Sequence, residues 1–124
     1  MLGKFVLWFS GAMFIAYGLA CLANPQLPMA YAGLGALSGD ALPEVAAMYG
    51  GLQTGFGVFC LVGALRAAYY RPALLLLALC IGALGLARCY WGITGETAVG
   101  AYTYGAAAYE LTTTLLACIA LRQR

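Results

Sequence analysis

Two charged residues interrupt stretches that are otherwise apolar. Arg88 lies within the run Leu74–Ile93, and Glu110 within the run Tyr104–Leu121. An ionisable side chain at membrane depth is costly, so it normally faces the protein interior and takes a partner. Three chemistries suit such residues. The two groups can neutralise each other and hold their helices in register; losing one partner then strands the other's charge. Arg88 can hold the anionic or carbonyl head group of a ligand. Glu110 can relay a proton or an ion, which would want a second polar set in the opposite half of the membrane. An enzyme would need Glu110 as a general acid/base, and no nucleophile or metal-ligand set accompanies it. The reading is therefore non-enzymatic.

The composition says what surrounds these charges. Of 124 residues, 65% are hydrophobic and 8% charged, against roughly 25% charged in soluble domains. So few charges cannot cover a water-soluble protein of this size, and the class is integral membrane protein. A net charge of +2, with no basic run, gives no footprint for nucleic acid. Histidine is absent, which excludes bis-histidine haem, His-bound zinc or copper, and His-dependent nucleophilic triads within this chain. Cys21, Cys60, Cys80, Cys89 and Cys118 show no CxxC spacing. They are expected to be small buried hydrophobes, with no metal site or disulfide framework.

Four apolar segments carry the chain: about residues 5–23, 45–65, 73–93 and 104–121. Each has about 18–21 residues, enough for a helix to cross an apolar core of about 30 Å. Barrel strands would be shorter and would alternate polar with apolar. The first segment, preceded by Lys4, has the layout of a signal peptide. Gly18 stands where a lipoprotein site before Cys21 would prefer a Leu-like residue, and the segment is read as a first span. With both termini cytoplasmic, the inside holds Lys4, Arg66, Arg71, Arg122 and Arg124, and the outside Asp40, Glu44 and Glu96. That is a positive-inside pattern.

The connections follow from turn chemistry. Residues 24–44, with Pro25, Pro28 and Pro43, form a loop whose Met29–Leu37 stretch can lie on the membrane surface. Arg66–Pro72 is expected to be a tight inner turn, with Pro72 in the first turn of helix three. Thr94–Thr103 is a short outer loop with Gly95 as a helix stop and Thr103 as a cap. Short connections predict one up-down-up-down bundle of four transmembrane helices, a single domain over residues 1–124.

Counting the rise along each helix puts Arg88 about 22 Å from the inner face, and Glu110 about 9 Å below the outer one. The two depths coincide, so the side chains can meet. Tyr17 and Gln53 fall near the same level, Tyr49 one turn above Gln53, Glu44 higher still, and Trp91 one turn outward of Arg88. The inner half offers Leu, Ala, Val and Cys. The strata predict a polar pocket that opens outward. Small residues at three- or four-residue spacing, above all Gly50, Gly51, Gly55 and Gly57, allow close helix approach within the molecule or against a partner.

The block Glu44, Met48-Tyr49-Gly50-Gly51, Gln53 and Gly55, then Arg71-Pro72, Gly85-Leu86-Ala87-Arg88 and Glu110, resembles a bacterial family of short four-span membrane proteins catalogued as a domain of unknown function. The resemblance covers nearly the whole chain. It implies a four-span fold and a membrane location, and supplies no activity.

The expected protein is thus a small multi-pass protein of the bacterial inner membrane. Its pocket would take a lipid-like or quinone-like amphiphile, with Arg88 on the head group, Glu110 orienting Arg88, and Tyr17, Glu44, Tyr49, Gln53 and Trp91 around the ligand. The alternative is an accessory or assembly subunit that packs through its Gly-rich second helix. Expected partners are membrane lipids, a hydrophobic small molecule, a larger membrane complex or a second copy; no cofactor, metal or nucleic acid is expected.

Overall fold

The structure, a computed structural model, describes residues 1–35 and 38–123. Leu37, the end of the apolar loop stretch, and Arg124, one of the inside charges, lie outside the described residues. Among the described residues four helices are long and apolar enough to cross a membrane: α1 (Leu2–Ala23), α2 (Ala41–Leu65), α3 (Ala67–Thr94) and α4 (Ala101–Arg122). No strand occurs among the described residues. The chain is an all-α, multi-pass membrane protein.

The helices reach further than the apolar runs. α2 begins at Ala41, so Pro43 falls in its first turn, where a missing N–H costs nothing. α3 begins at Ala67, and the expected turn Arg66–Pro72 shrinks to one residue. Arg66 alone is extended, at φ −120° and ψ 119°. Pro72 lies inside the helix rather than in its first turn. Its ring removes one bond, to the Ala68 carbonyl, near a helix end where other groups can reach that oxygen. α4 begins at Ala101 behind an extended Gly100, with no side-chain cap. Thr103 is therefore a residue of the first turn, not its cap. Gly95 does end α3, its N–H donating to the Trp91 carbonyl at 2.9 Å. Two stretches, Ala46–Gly51 in α2 and Leu77–Ile81 in α3, widen into π-type turns.

Between α1 and α2 the chain turns by local chemistry. The Gln26 N–H donates to Asn24 Oδ1 at 3.1 Å, an Asx turn. A single helical turn, Met29–Ala32, ends at Gly33 in the left-handed region, φ 66°, which a residue with a Cβ disfavours.

Two compact units make up the chain. One comprises Met1–Leu7 with Val62–Arg124, the other Trp8–Leu61. In the second unit, Gly11 of α1 lies against Leu61 and Gly57, and Gly18 against Thr54 and Gly50. Rising numbers meet falling ones, so the two helix segments run antiparallel. Phe14 and Phe56 add an edge-to-face contact at 6.4 Å between centroids. Gly50 and Gly57 face α1, whereas a Cβ at Gly51 or Gly55 would meet nothing within 4 Å. The four glycines therefore split between two faces.

In the first unit, α3 and α4 also run antiparallel. Gly82 lies against Thr114, Gly85 against Glu110 and Leu111, and Gly92 against Thr103. Leu74, Leu77 and Ile81 of α3, Ala117 and Ala120 of α4, and Leu7 form the buried core. All five cysteines are free, and only Cys21 and Cys60 are buried; Cys80 is exposed. The expectation of five buried thiols fails at Cys80 because an apolar side chain facing lipid needs no protein cover.

Candidate functional site

The site grows from the small face of α3. Gly82, Gly85 and Arg88 recur every three residues, so they lie near one another along the helix. A Cβ at Gly85 would stand 3.2 Å from Glu110 Cβ, and one at Gly82 would stand 3.1 Å from Thr114 Cγ2. The absence of those carbons lets the α4 backbone come close. That approach sets the separation at which Arg88, one turn on, meets Glu110.

The two side chains form a forked ion pair. Arg88 Nε donates to Glu110 Oε2 at 2.9 Å, and Arg88 Nη2 to Oε1 at 2.8 Å. Two parallel charge-assisted bonds fix the plane of the guanidinium as well as its position. Glu110 is buried, its side chain 10% exposed against 24% for Arg88. The carboxylate is thus the inner partner and the guanidinium the outer one. Tyr102 adds a cation–π contact, its ring centroid 5.8 Å from Arg88 Cζ. Below the pair, Thr114 Oγ1 donates to the Glu110 carbonyl at 2.8 Å. That bond spends the hydroxyl on its own helix rather than on the pair.

Beside Arg88 an open cavity of about 390 Å³ lies in the same unit. Leu84, Ala87, Gly92 and Val99 line it, with Arg88, Trp91 and Thr103 the lining residues whose side chains carry polar atoms. Trp91 is also 69% exposed and stacks edge-on with Tyr90 at 5.4 Å. The cavity has no carboxylate in its lining, since Glu110 stands behind Arg88. Among the described residues no group of three or more His, Cys, Asp or Glu could hold a metal ion, and no buried side-chain nitrogen or oxygen lacks a partner.

Arg88, Glu110 and Trp91, singled out from the sequence, come together in this one unit. Tyr17, Glu44, Tyr49 and Gln53 belong to the other. There Tyr17 accepts a hydrogen bond from the Tyr31 hydroxyl at 3.0 Å. Tyr49 and Gln53 are half-buried, and Glu44 is exposed. Sequence reasoning passed over Leu84, Val99, Tyr102 and Thr103. The register held the signal: once Arg88 faces Glu110 on an antiparallel neighbour, the residue one turn outward on α3 must face the start of α4.

One family model matches residues 2–121, and its description is a domain of unknown function (DUF4345). The match spans nearly the whole chain, so the protein belongs to that family. No curated protein and no solved structure matches it.

Proposed function

We propose that this member of the family is a non-enzymatic membrane protein that holds an amphiphile, lipid-like or quinone-like, with its head group at Arg88. One observation carries the reading: an open, mainly apolar cavity has in its lining an arginine whose guanidinium is oriented by a buried carboxylate. Its volume falls within the roughly 300–1,000 Å³ of small-molecule sites, which pair apolar walls with a few placed polar groups. The head group meets Arg88, the tail lies along Leu84, Ala87 and Val99, and Glu110 keeps the guanidinium fork from turning. On this reading both termini lie in the cytoplasm of an inner (plasma) membrane, as the positive-inside pattern of the basic residues favours, and the cavity opens outward.

Native mass spectrometry of protein released gently from its membrane tests this. A retained lipid or small molecule, absent from Arg88→Ala, is the expected result. Bare protein, unchanged by Arg88→Ala, would overturn the reading.

A second reading has its own support. Gly51 and Gly55 stand one turn apart on α2 with open space before them, a spacing at which transmembrane helices pack closely. An accessory subunit built on that face would lose co-purifying polypeptides in Gly51→Leu while tolerating Arg88→Ala.

A further inference from the structure

Resting on the amphiphile reading of the cavity, the geometry points to an occupant whose polar end is an uncharged hydrogen-bond acceptor: an ester, ketone or quinone carbonyl rather than a phosphate or carboxylate. Two independent features of the site lead there.

The first is the donor inventory. Arg88 and Trp91 bring side-chain nitrogens that only donate, and Thr103 brings a hydroxyl that can do either. No lining side chain is an obligate acceptor: no carboxylate, side-chain amide or imidazole is present. Among the lining side chains, a ligand that must donate finds one hydroxyl oxygen, whereas a ligand that accepts finds three donor groups.

The second is charge. Arg88 alone would favour an anion, but its charge is already matched by Glu110 through two bonds of 2.8 and 2.9 Å. The pair is formally neutral. An anionic head group added beside it leaves one net negative charge at membrane depth, where uncompensated charge is costly. The anion cannot escape this by displacing Glu110. That side chain is 10% exposed, so the released carboxylate would stay buried without its partner. A neutral carbonyl adds no charge, and it accepts from groups polarised by the pair. Glu110 therefore sets selectivity as well as orientation: it converts a cationic site into a polar, neutral one.

The test compares two probes that share a tail and differ in charge. Trp8→Phe removes the only other indole, so Trp91 reports alone. In phosphatidylcholine nanodiscs at pH 9, Trp91 fluorescence is titrated with methyl 6-bromododecanoate and with 6-bromododecanoate, whose bromine lies near enough to the head group to quench the indole by contact. The ester is expected to quench saturably at a concentration at least about ten-fold below the carboxylate. Thr103→Val should weaken the ester several-fold. Arg88→Gln combined with Glu110→Gln leaves no stranded charge and should abolish saturation, leaving only the linear quenching of free partitioning. Equal or tighter saturable binding of the carboxylate overturns the uncharged head group and leaves the cavity reading standing. Purely linear quenching by both probes, in the wild-type protein as in the double variant, overturns the cavity reading and this inference with it.

Discussion

Arg88 and Glu110 carry opposite charges joined by two hydrogen bonds. Glu110 is the buried member, so Arg88→Leu leaves a carboxylate in apolar surroundings without its two donors. The expected loss of stability is about 3 kcal/mol, the low end for broken buried pairs because Arg88 keeps part of its side chain exposed. Arg88→Leu with Glu110→Leu removes both charges and should return stability to within about 1 kcal/mol of wild type, as apolar replacements of whole pairs often do. Reversible unfolding in mixed micelles, run as a double-mutant cycle, measures the difference. Equal damage from the single and the double change would show that the pair's role is packing, not charge. These two residues were legible in the sequence because a charge in an apolar run has few ways to be satisfied. Thr103 and Val99 were not. Their residue types are ordinary at a loop end, and only the register of α3 against α4 gives them a place beside Arg88.

Helix ends rather than helix existence separated expectation from structure. The four apolar runs announced α1 to α4, since length and hydropathy suffice where lipid is the solvent. Their ends extended because Ala41, Ala67 and Ala101 are strong helix formers just outside the apolar windows, and a proline in an early turn removes at most one bond. The glycines show the same limit from another side. GxxxG spacing marks a close-packing face but not which neighbour it packs against, and the face toward α1 carries Gly50 and Gly57 instead. A substitution series separates the two faces. Gly57→Leu would drive side-chain atoms into Ile15 and the Gly11 carbonyl, and should destabilise by about 1–3 kcal/mol. Gly51→Leu meets open space and should stay within about 0.5 kcal/mol. The same unfolding assay reads both, and a disruptive Gly51→Leu in isolated protein would contradict the open face.

For the whole molecule, four spans impose a parity: both termini must lie on one side of the membrane. The proposed reading makes the cytoplasm that side, from the distribution of Lys4, Arg66, Arg71 and Arg122 against Asp40, Glu44 and Glu96. In a variant with the five native cysteines replaced, Glu96→Cys should react with a membrane-impermeant thiol reagent in intact cells. Lys4→Cys should react only after lysis. Labelling of both in intact cells would break the parity, and a reversed pattern would invert the molecule. The inverted case would also turn the cavity toward the cytoplasm and change where its proposed occupant is drawn from.

The forked pair also joins two segments that a ribosome delivers one after the other. α3 emerges first and brings a guanidinium into the bilayer; α4, the least apolar of the four spans, brings the carboxylate 22 positions later. In that interval the nascent chain carries the guanidinium without the carboxylate, on a helix rich in leucine. Neither segment is at its most comfortable until the other arrives. A chain that stops short of Glu110 would thus be marked by its own stranded charge, and completing synthesis is what removes the mark.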